Sequence, residues 1–292
     1  MHTALSEAID TLNQRILGKP HQIKLAVTCL LANGHLLIED LPGMGKTTLS
    51  HALAQVFGLG FSRIQFTSDL LPADMLGVNI YNAQQQRFEF HAGPIFSEVV
   101  LADEINRASP KTQSALLEAM EENQVSIDGT THALPVPFFV IATQNPAYQA
   151  GTYPLPESQL DRFLMRISLG YPDTAAEKAM LRQTTPSPAP TAENAQPVIT
   201  PAQLKDWQHS VTQVHASEPI LDYLLRLVQQ SRDNAEFPYP LSPRASKSLL
   251  RGAQAWAFLH NRDFVLPEDI QAVFTAIAEH RLRGSQTDYR ED

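Results

Sequence analysis

Leu36-Leu-Ile-Glu-Asp-Leu-Pro-Gly-Met-Gly-Lys-Thr-Thr48 is the stretch whose reading decides the fold. An apolar run at 36–38 enters a turn built from proline and glycine, and a helical pattern follows from 47 to about 57. Strand, loop and helix in that order suit a triphosphate. Gly43 and Gly45 let successive backbone N–H groups turn inward as an anion nest, and the helix N-terminus adds the positive end of its dipole. Lys46 can reach β- and γ-phosphates, the Thr47 hydroxyl can ligate Mg²⁺, and Pro42, Met44 and Thr48 complete the loop. One position departs from the general pattern G-x-x-x-x-G-K-[ST]: its first glycine is Asp40 here. Out of context the loop also reads as a Gly-Pro turn before an ordinary helix, but the strand ahead of it favours phosphate.

A second apolar run, Val99-Val-Leu-Ala-Asp-Glu104, ends in two carboxylates. Such a run suits a parallel strand covered on both faces. At its carboxyl end Asp103 can hold the Mg²⁺ shell, and Glu104 can orient or deprotonate an attacking water. Phe138-Phe-Val-Ile-Ala-Thr143 is a further buried strand, and it delivers Asn145 to the same sheet edge. Asn145 is either an amide for the γ-phosphate or lytic water, or the first residue of an Asn-Pro turn. Arg162, in Leu160-Asp-Arg-Phe163, is either a surface ion-pair residue or a finger completing a neighbour's site. Arg244 opens a helix after Ser242-Pro243 and could reach toward the nucleotide from a second domain.

Composition bounds the rest. The 292 residues, 43% hydrophobic and 18% charged, describe a globular chain with ample core. A formal charge of −9 argues against a general nucleic-acid surface. The single cysteine, Cys29, lies in an apolar helical stretch and cannot form an internal disulfide, which suits a reducing compartment. The first residues carry no basic-then-apolar signal, and the apolar stretch 25–38 is broken by Asn33-Gly-His35. A cytoplasmic protein without membrane insertion is expected.

Strands are expected at 35–39, 61–66, 98–102, 137–143 and 164–169, interleaved with helices, which implies a five-stranded parallel sheet in an α/β fold. Two hairpins interrupt it: 78–82 with 86–90, and 124–127 with 131–134 across Asp128-Gly129. Beyond Tyr171-Pro-Asp173 the pattern is purely helical, at 174–183, 201–215, 218–233, 243–261 and 267–282. A Pro/Ala/Thr-rich excursion at 184–200 carries no functional motif. Two domains follow, 1–172 and 173–292.

Taken together, six strings resemble the MoxR-type AAA+ ATPases of the helix-2-insert clade over nearly the whole chain. They run from Gly34 to Thr47, Leu101 to Ala108, Lys111 to Glu121, Ala142 to Pro146, Leu155 to Phe163 and Ser242 to Ala245. The resemblance implies an AAA+ αβα core and an all-helical lid, ATP and Mg²⁺ as cofactors, and a homo-oligomeric ring, commonly a hexamer. It matches Asn145 to sensor 1, Arg162 to the arginine finger with Arg166 as competitor, and Arg244 to sensor 2. Ile16, Leu17 and Gly18 match the segment packed on adenine, and both hairpins match elements that face the ring axis.

It also implies the work done. Members of this group act as chaperones that mature or activate partners with von Willebrand A domains, and some couple to metal or cofactor insertion. An ATP-hydrolysing chaperone is therefore the leading expectation. A DNA-directed motor is the alternative, since replicative helicases share the helix-2 insert, and a slowly hydrolysing binding scaffold is the third. The acidic charge and the absence of a basic–aromatic patch on the second hairpin count against DNA.

Overall fold

The computed structural model describes residues 2–145, 151–182 and 196–283. Pro146, most of the Pro/Ala/Thr-rich excursion and the last nine residues lie outside the described residues. Helices α1 (His2–Arg15) and α2 (Pro20–Leu31) lead into β1 (Leu36–Glu39), α3 (Lys46–Val56), β2 (Phe61–Gln65) and α4 (Pro72–Leu76). A hairpin follows, β3 (Gly77–Asn82) with β4 (Arg87–Ala92), then β5 (Val99–Asp103) and α5 (Pro110–Glu122). The second hairpin is β6 (Gln124–Ile127) with β7 (Thr130–Ala133), after which come β8 (Phe139–Gln144), α6 (Glu157–Leu160) and β9 (Met165–Ile167). The rest is helical: α7 (Thr174–Arg182), α8 (Pro201–Thr212), α9 (Glu218–Asp233), α10 (Pro243–Leu259) and α11 (Pro267–Arg283).

Five strands pair in the order β2-β5-β8-β1-β9, and every pairing is parallel. The expected α/β core is present, with each hairpin a separate two-stranded sheet. Alternate strand residues feed two apolar cores because successive side chains point to opposite faces. Leu36, Ile38, Val99, Leu101, Phe139 and Ile141 join the core containing α1, α2 and α3. Leu37, Val100, Ala102, Val140 and Ala142 join the core containing α5.

The C-terminal helices continue the first of these cores. Leu204, Trp207, Leu249, Ala253, Trp256 and Ile277 belong to one apolar cluster with Ile23, Leu30 and Met165. At Gly252, an added Cβ would come within 2.4 Å of Ile277 Cδ1, so α10 and α11 meet closely and a larger residue would require the Ile277 side chain to shift. Helix starts follow side-chain chemistry: the Ser242 hydroxyl accepts the Ala245 N–H, and Thr200 and Gln203 form a capping box ahead of α8.

The core strands differ from expectation by one or two residues at their ends, and two of these differences bear on the site. Gln65 pairs with Asp103, which keeps that carboxylate inside β5. In contrast β9 stops at Ile167, because residues 168–170 leave the sheet to bind the Asp40 carboxylate. Neither α1 nor α2 is bounded by the sequence pattern, although α2 is almost wholly buried from Leu25 to Leu31. No helix among the described residues is long and apolar enough to cross a membrane.

His35 ties β1 to its surroundings. Its Nδ1 accepts the Val140 N–H at 3.1 Å, which leaves the proton on Nε2, facing Met120 O at 3.3 Å. Burial pushes its pKa down from 6.5 to about 4. The unfolded chain therefore binds a proton that the folded chain refuses, so stability is complete above pH 6.5 and is lost as pH falls toward 4. The loss attributable to this group is about 3 kcal/mol. Denaturant midpoints measured between pH 7 and pH 4 should fall steeply for the wild type and less steeply for His35→Gln. Equal slopes would mean that His35 is not held neutral by the fold.

Candidate functional site

The strand order decides what can meet. With β8 between β5 and β1, the carboxyl ends of the three strands deliver Asp103-Glu104, Asn145 and the loop at 40–46 side by side. They line a cleft of about 360 Å³, together with Pro42, Gly43, Gly45, Thr47, Thr48 and Arg63. Gly43 and Gly45 have φ of +86° and +87°, the left-handed region that glycine enters without a Cβ clash. Nothing stands within 4 Å of where a Cβ would project at either one. The turned loop is an open cradle at the start of α3, and Thr47 and Thr48 are exposed on its rim.

Lys46 is buried, and its ammonium donates to Asp40 O at 2.8 Å. Desolvation lowers its pKa, opposed by the charges of Asp40, Asp103 and Glu104. The Asp40 carboxylate faces away from the cradle. It accepts Ser168 Oγ–H at 2.8 Å, Leu169 N–H at 2.5 Å and Gly170 N–H at 3.1 Å. The departure from the general loop pattern thus has a physical role: Asp40 fastens the root of the loop to the chain leaving β9.

Thr143 couples the acidic pair. Its hydroxyl donates to Asp103 Oδ1 at 2.6 Å and accepts the Glu104 N–H at 2.8 Å. Asp103 Oδ2 pairs with Arg63 at 2.6 Å, an arginine whose side chain is half exposed. Glu104 has φ +57°, an uncommon conformation for a residue with a side chain and one found at functional sites. Its carboxylate accepts from Asn145 Nδ2 and Gln65 Nε2, both at 3.0 Å, and pairs with Arg107 at 3.1 Å. Asn145 Oδ1 is buried without a hydrogen-bond partner.

The remaining positions fall elsewhere. Met44 packs on the main core and is not among the residues lining the cleft. Leu17 and Gly18 do not line the cleft either. At Gly18, φ +73°, an added Cβ would meet Ala176 at 2.9 Å, which sets this segment against the start of α7. Residues 168–170 link that region to Asp40, so the segment lies on the same sheet edge as the loop.

Arg162 and Arg244 share a different cavity, of about 320 Å³, lined also by His35, Phe138 and Leu164. Those three residues immediately precede β1, β8 and β9, so this cavity lies at the amino edge of the sheet, opposite the cleft. Arg244 therefore does not reach the nucleotide cleft of its own chain, contrary to the sequence expectation. The reason is that α10 docks its first turn against the end of α5, where Arg244 pairs with Glu121 at 3.2 Å. Arg162 pairs with the same carboxylate at 3.1 Å. Arg166, the competing candidate, is buried between Glu39 at 3.0 Å and Glu279 at 3.3 Å and is not free to act as a finger.

Sequence reasoning missed Arg63, Gln65, Arg107 and Thr143. Thr143 carried a faint signal as the one polar residue ending an apolar strand; Arg63 and Gln65 look like ordinary surface residues until the register is known, and Arg107 meets Glu104 through the turn after β5.

Known proteins resemble this chain in sequence and fold. A family profile described as "ATPase family associated with various cellular activities (AAA)" matches residues 35–165, and one described as "AAA lid domain" matches residues 229–292. The Bacillus subtilis protein YeaC is 48% identical over 283 residues, 97% of this chain and 88% of that protein. Chaperone MoxR1 of Mycobacterium tuberculosis is 38% identical over 291 residues, 97% and 76% of the two chains. The crystal structure of a provisionally assigned ATPase from Cytophaga hutchinsonii has a TM-score of 0.87 and 41% identity, covering 96% of this chain and 87% of that one.

Asp40→Gly would restore the general loop pattern and yet should harm the protein. It removes the acceptor of three donors, one of them the buried Leu169 N–H. Leaving a buried donor unmatched costs about 1–3 kcal/mol. Chemical denaturation should report that loss, with nucleotide affinity falling as the loop root loosens. Unchanged stability would mean that Asp40 is not the anchor.

Proposed function

The chain belongs to the MoxR-type AAA+ ATPases, and from that membership we propose that it hydrolyses ATP in an oligomeric ring, hexameric by family habit, to remodel or activate a partner protein. The nucleotide core occupies residues 1–172 and the helical lid 173–292 in this reading. The observation that carries it is the convergence of Lys46, Thr47, Asp103, Glu104 and Asn145 on one cleft.

The donor set fits Mg-ATP: an open glycine cradle, exposed hydroxyls on its rim, and a buried, unmatched amide oxygen at Asn145. Thr47 and Asp103 would hold Mg²⁺, which when bound neutralises phosphate charge. Lys46 exchanges its bond to Asp40 O for one to the phosphates. Glu104 takes the proton of, or orients, the attacking water; Asn145 holds its carboxylate and Thr143 holds its backbone N–H. Gly18 and Leu17 border the base.

Arg162 and Arg244 sit at the far sheet edge, so in this reading they serve the nucleotide of the adjacent subunit. A protein partner suits the exposed surface of the first hairpin, where Val78, Ile80, Tyr81 and Phe88 are apolar and uncovered. A von Willebrand A domain protein is the partner class that the family resemblance favours.

Glu104→Gln should bind ATP nearly as well as wild type while turnover drops by orders of magnitude, whereas Lys46→Ala should weaken binding itself. Steady-state hydrolysis alongside fluorescent-nucleotide titration distinguishes them, and wild-type turnover in Glu104→Gln would remove it from the mechanism. An arginine finger contributes about 10³–10⁵ in rate in other phosphoryl-transfer enzymes. Arg162→Ala should therefore be inactive but regain activity when mixed with Lys46→Ala, since mixed rings contain interfaces with both halves intact. No recovery in verified mixed rings would place Arg162 outside the neighbour's site.

A further inference from the structure

Glu121 stands in the last turn of α5, beside Glu118 and Glu122, and that turn holds no basic residue. A carboxylate is disfavoured there, because the helix C-terminus carries the negative end of the dipole. Helix stability therefore does not explain it. Its two oxygens are divided between two arginines: Oε2 faces Arg162 Nη1 at 3.1 Å and Oε1 faces Arg244 Nη2 at 3.2 Å.

We infer that Glu121 is a positioning residue that joins Arg162 and Arg244 into one receptor for the phosphates of the neighbouring subunit's nucleotide, an inference that rests on the trans reading above. The two guanidiniums come from distant parts of the chain, the turn before β9 and the first turn of α10. Brought together without a counter-ion, they would repel each other. With one carboxylate between them the trio keeps a net charge of +1, and each guanidinium has five N–H donors of which only a minority is used. The unused donors remain for a phosphate.

The two arginines do not depend on Glu121 equally. Arg162 Nη1 also donates to Leu117 O at 2.7 Å. Its neighbours are bolted to α11: Arg281 bonds Asp161 Oδ1 at 2.6 Å, Phe163 O at 2.8 Å and Leu164 O at 3.1 Å. Arg244 has no such support. Among the described residues Glu121 is its ion-pair partner, and its side chain is otherwise half exposed. Loss of Glu121 should therefore release Arg244 and leave Arg162 nearly in place.

The test is a double-mutant cycle on assembled full-length rings, reading kcat, KM for ATP, melting temperature and ring assembly. Glu121→Gln should lower kcat roughly tenfold, within the range expected for directly coupled residues. Its nucleotide affinity should stay within about twofold of wild type, because the P-loop lies at the other sheet edge. Arg244→Ala should show a similar loss, and the double variant should be no worse than Arg244→Ala alone. Mixing Glu121→Gln with Lys46→Ala should restore activity, as expected for a defect on the arginine side.

Wild-type kcat in Glu121→Gln, or losses that multiply in the double variant, would overturn the inference. A fall in kcat accompanied by a lower melting temperature or lost assembly would also overturn it, by assigning Glu121 to the fold. Failure of the trans reading is recorded separately, by absent recovery in the Arg162→Ala and Lys46→Ala mixture.

Discussion

In a sheet whose strands all run one way, every carboxyl end shares one edge and every amino end shares the other. That constraint organises this molecule. The loop after β1, the acidic pair ending β5 and the amide after β8 have no choice but to meet, because β8 lies between the other two. Arg162 precedes β9 instead of following it, so the same geometry sends it to the opposite edge. A strand of five residues spans about 17 Å, too far for side chains of one chain to bridge. In the proposed ring the cleft and the arginine pair are two half-sites, which a single subunit carries at opposite sheet edges without joining them.

Buried polar contacts hold each half-site in register. Asp40 fixes the loop root to the chain after β9, and Thr143 ties the backbone of Glu104 to the carboxylate of Asp103. Arg166 links β1 to α11 through Glu39 and Glu279, and Arg281 clamps the turn that carries Arg162. Each of these would leave an uncompensated buried group if its partner were removed, which is costly enough to enforce one arrangement. The helical C-terminal part consequently touches both halves: through Arg166 it meets the strand that leads to the loop, and through Arg281 and Arg244 it sets the arginine face.

Much of this was legible beforehand because it rests on local pattern. Glycines at 43 and 45, the apolar strands expected at 98–102 and 137–143, and the Asp128-Gly129 turn each specify a conformation without tertiary information. What stayed hidden depends on register and docking. Arg63 becomes a partner of Asp103 only once β2 pairs with β5, and Gln65 reaches Glu104 for the same reason. Arg244 was expected at the nucleotide of its own chain, but the docking of α10 and α11 onto α2 and β9 decides otherwise, and no periodicity in the sequence encodes that choice. Asp40 looked like a blemish in a motif and is an anchor.

The central claim is that one active site is completed by two subunits across opposite sheet edges. A structure of the assembled Glu104→Gln ring with ATP and Mg²⁺ tests it most directly. The account predicts the γ-phosphate of one subunit within hydrogen-bonding distance of Arg162 and Arg244 from the next. A ring in which both arginines still face only Glu121, with the γ-phosphate contacted by groups of its own chain alone, would contradict it.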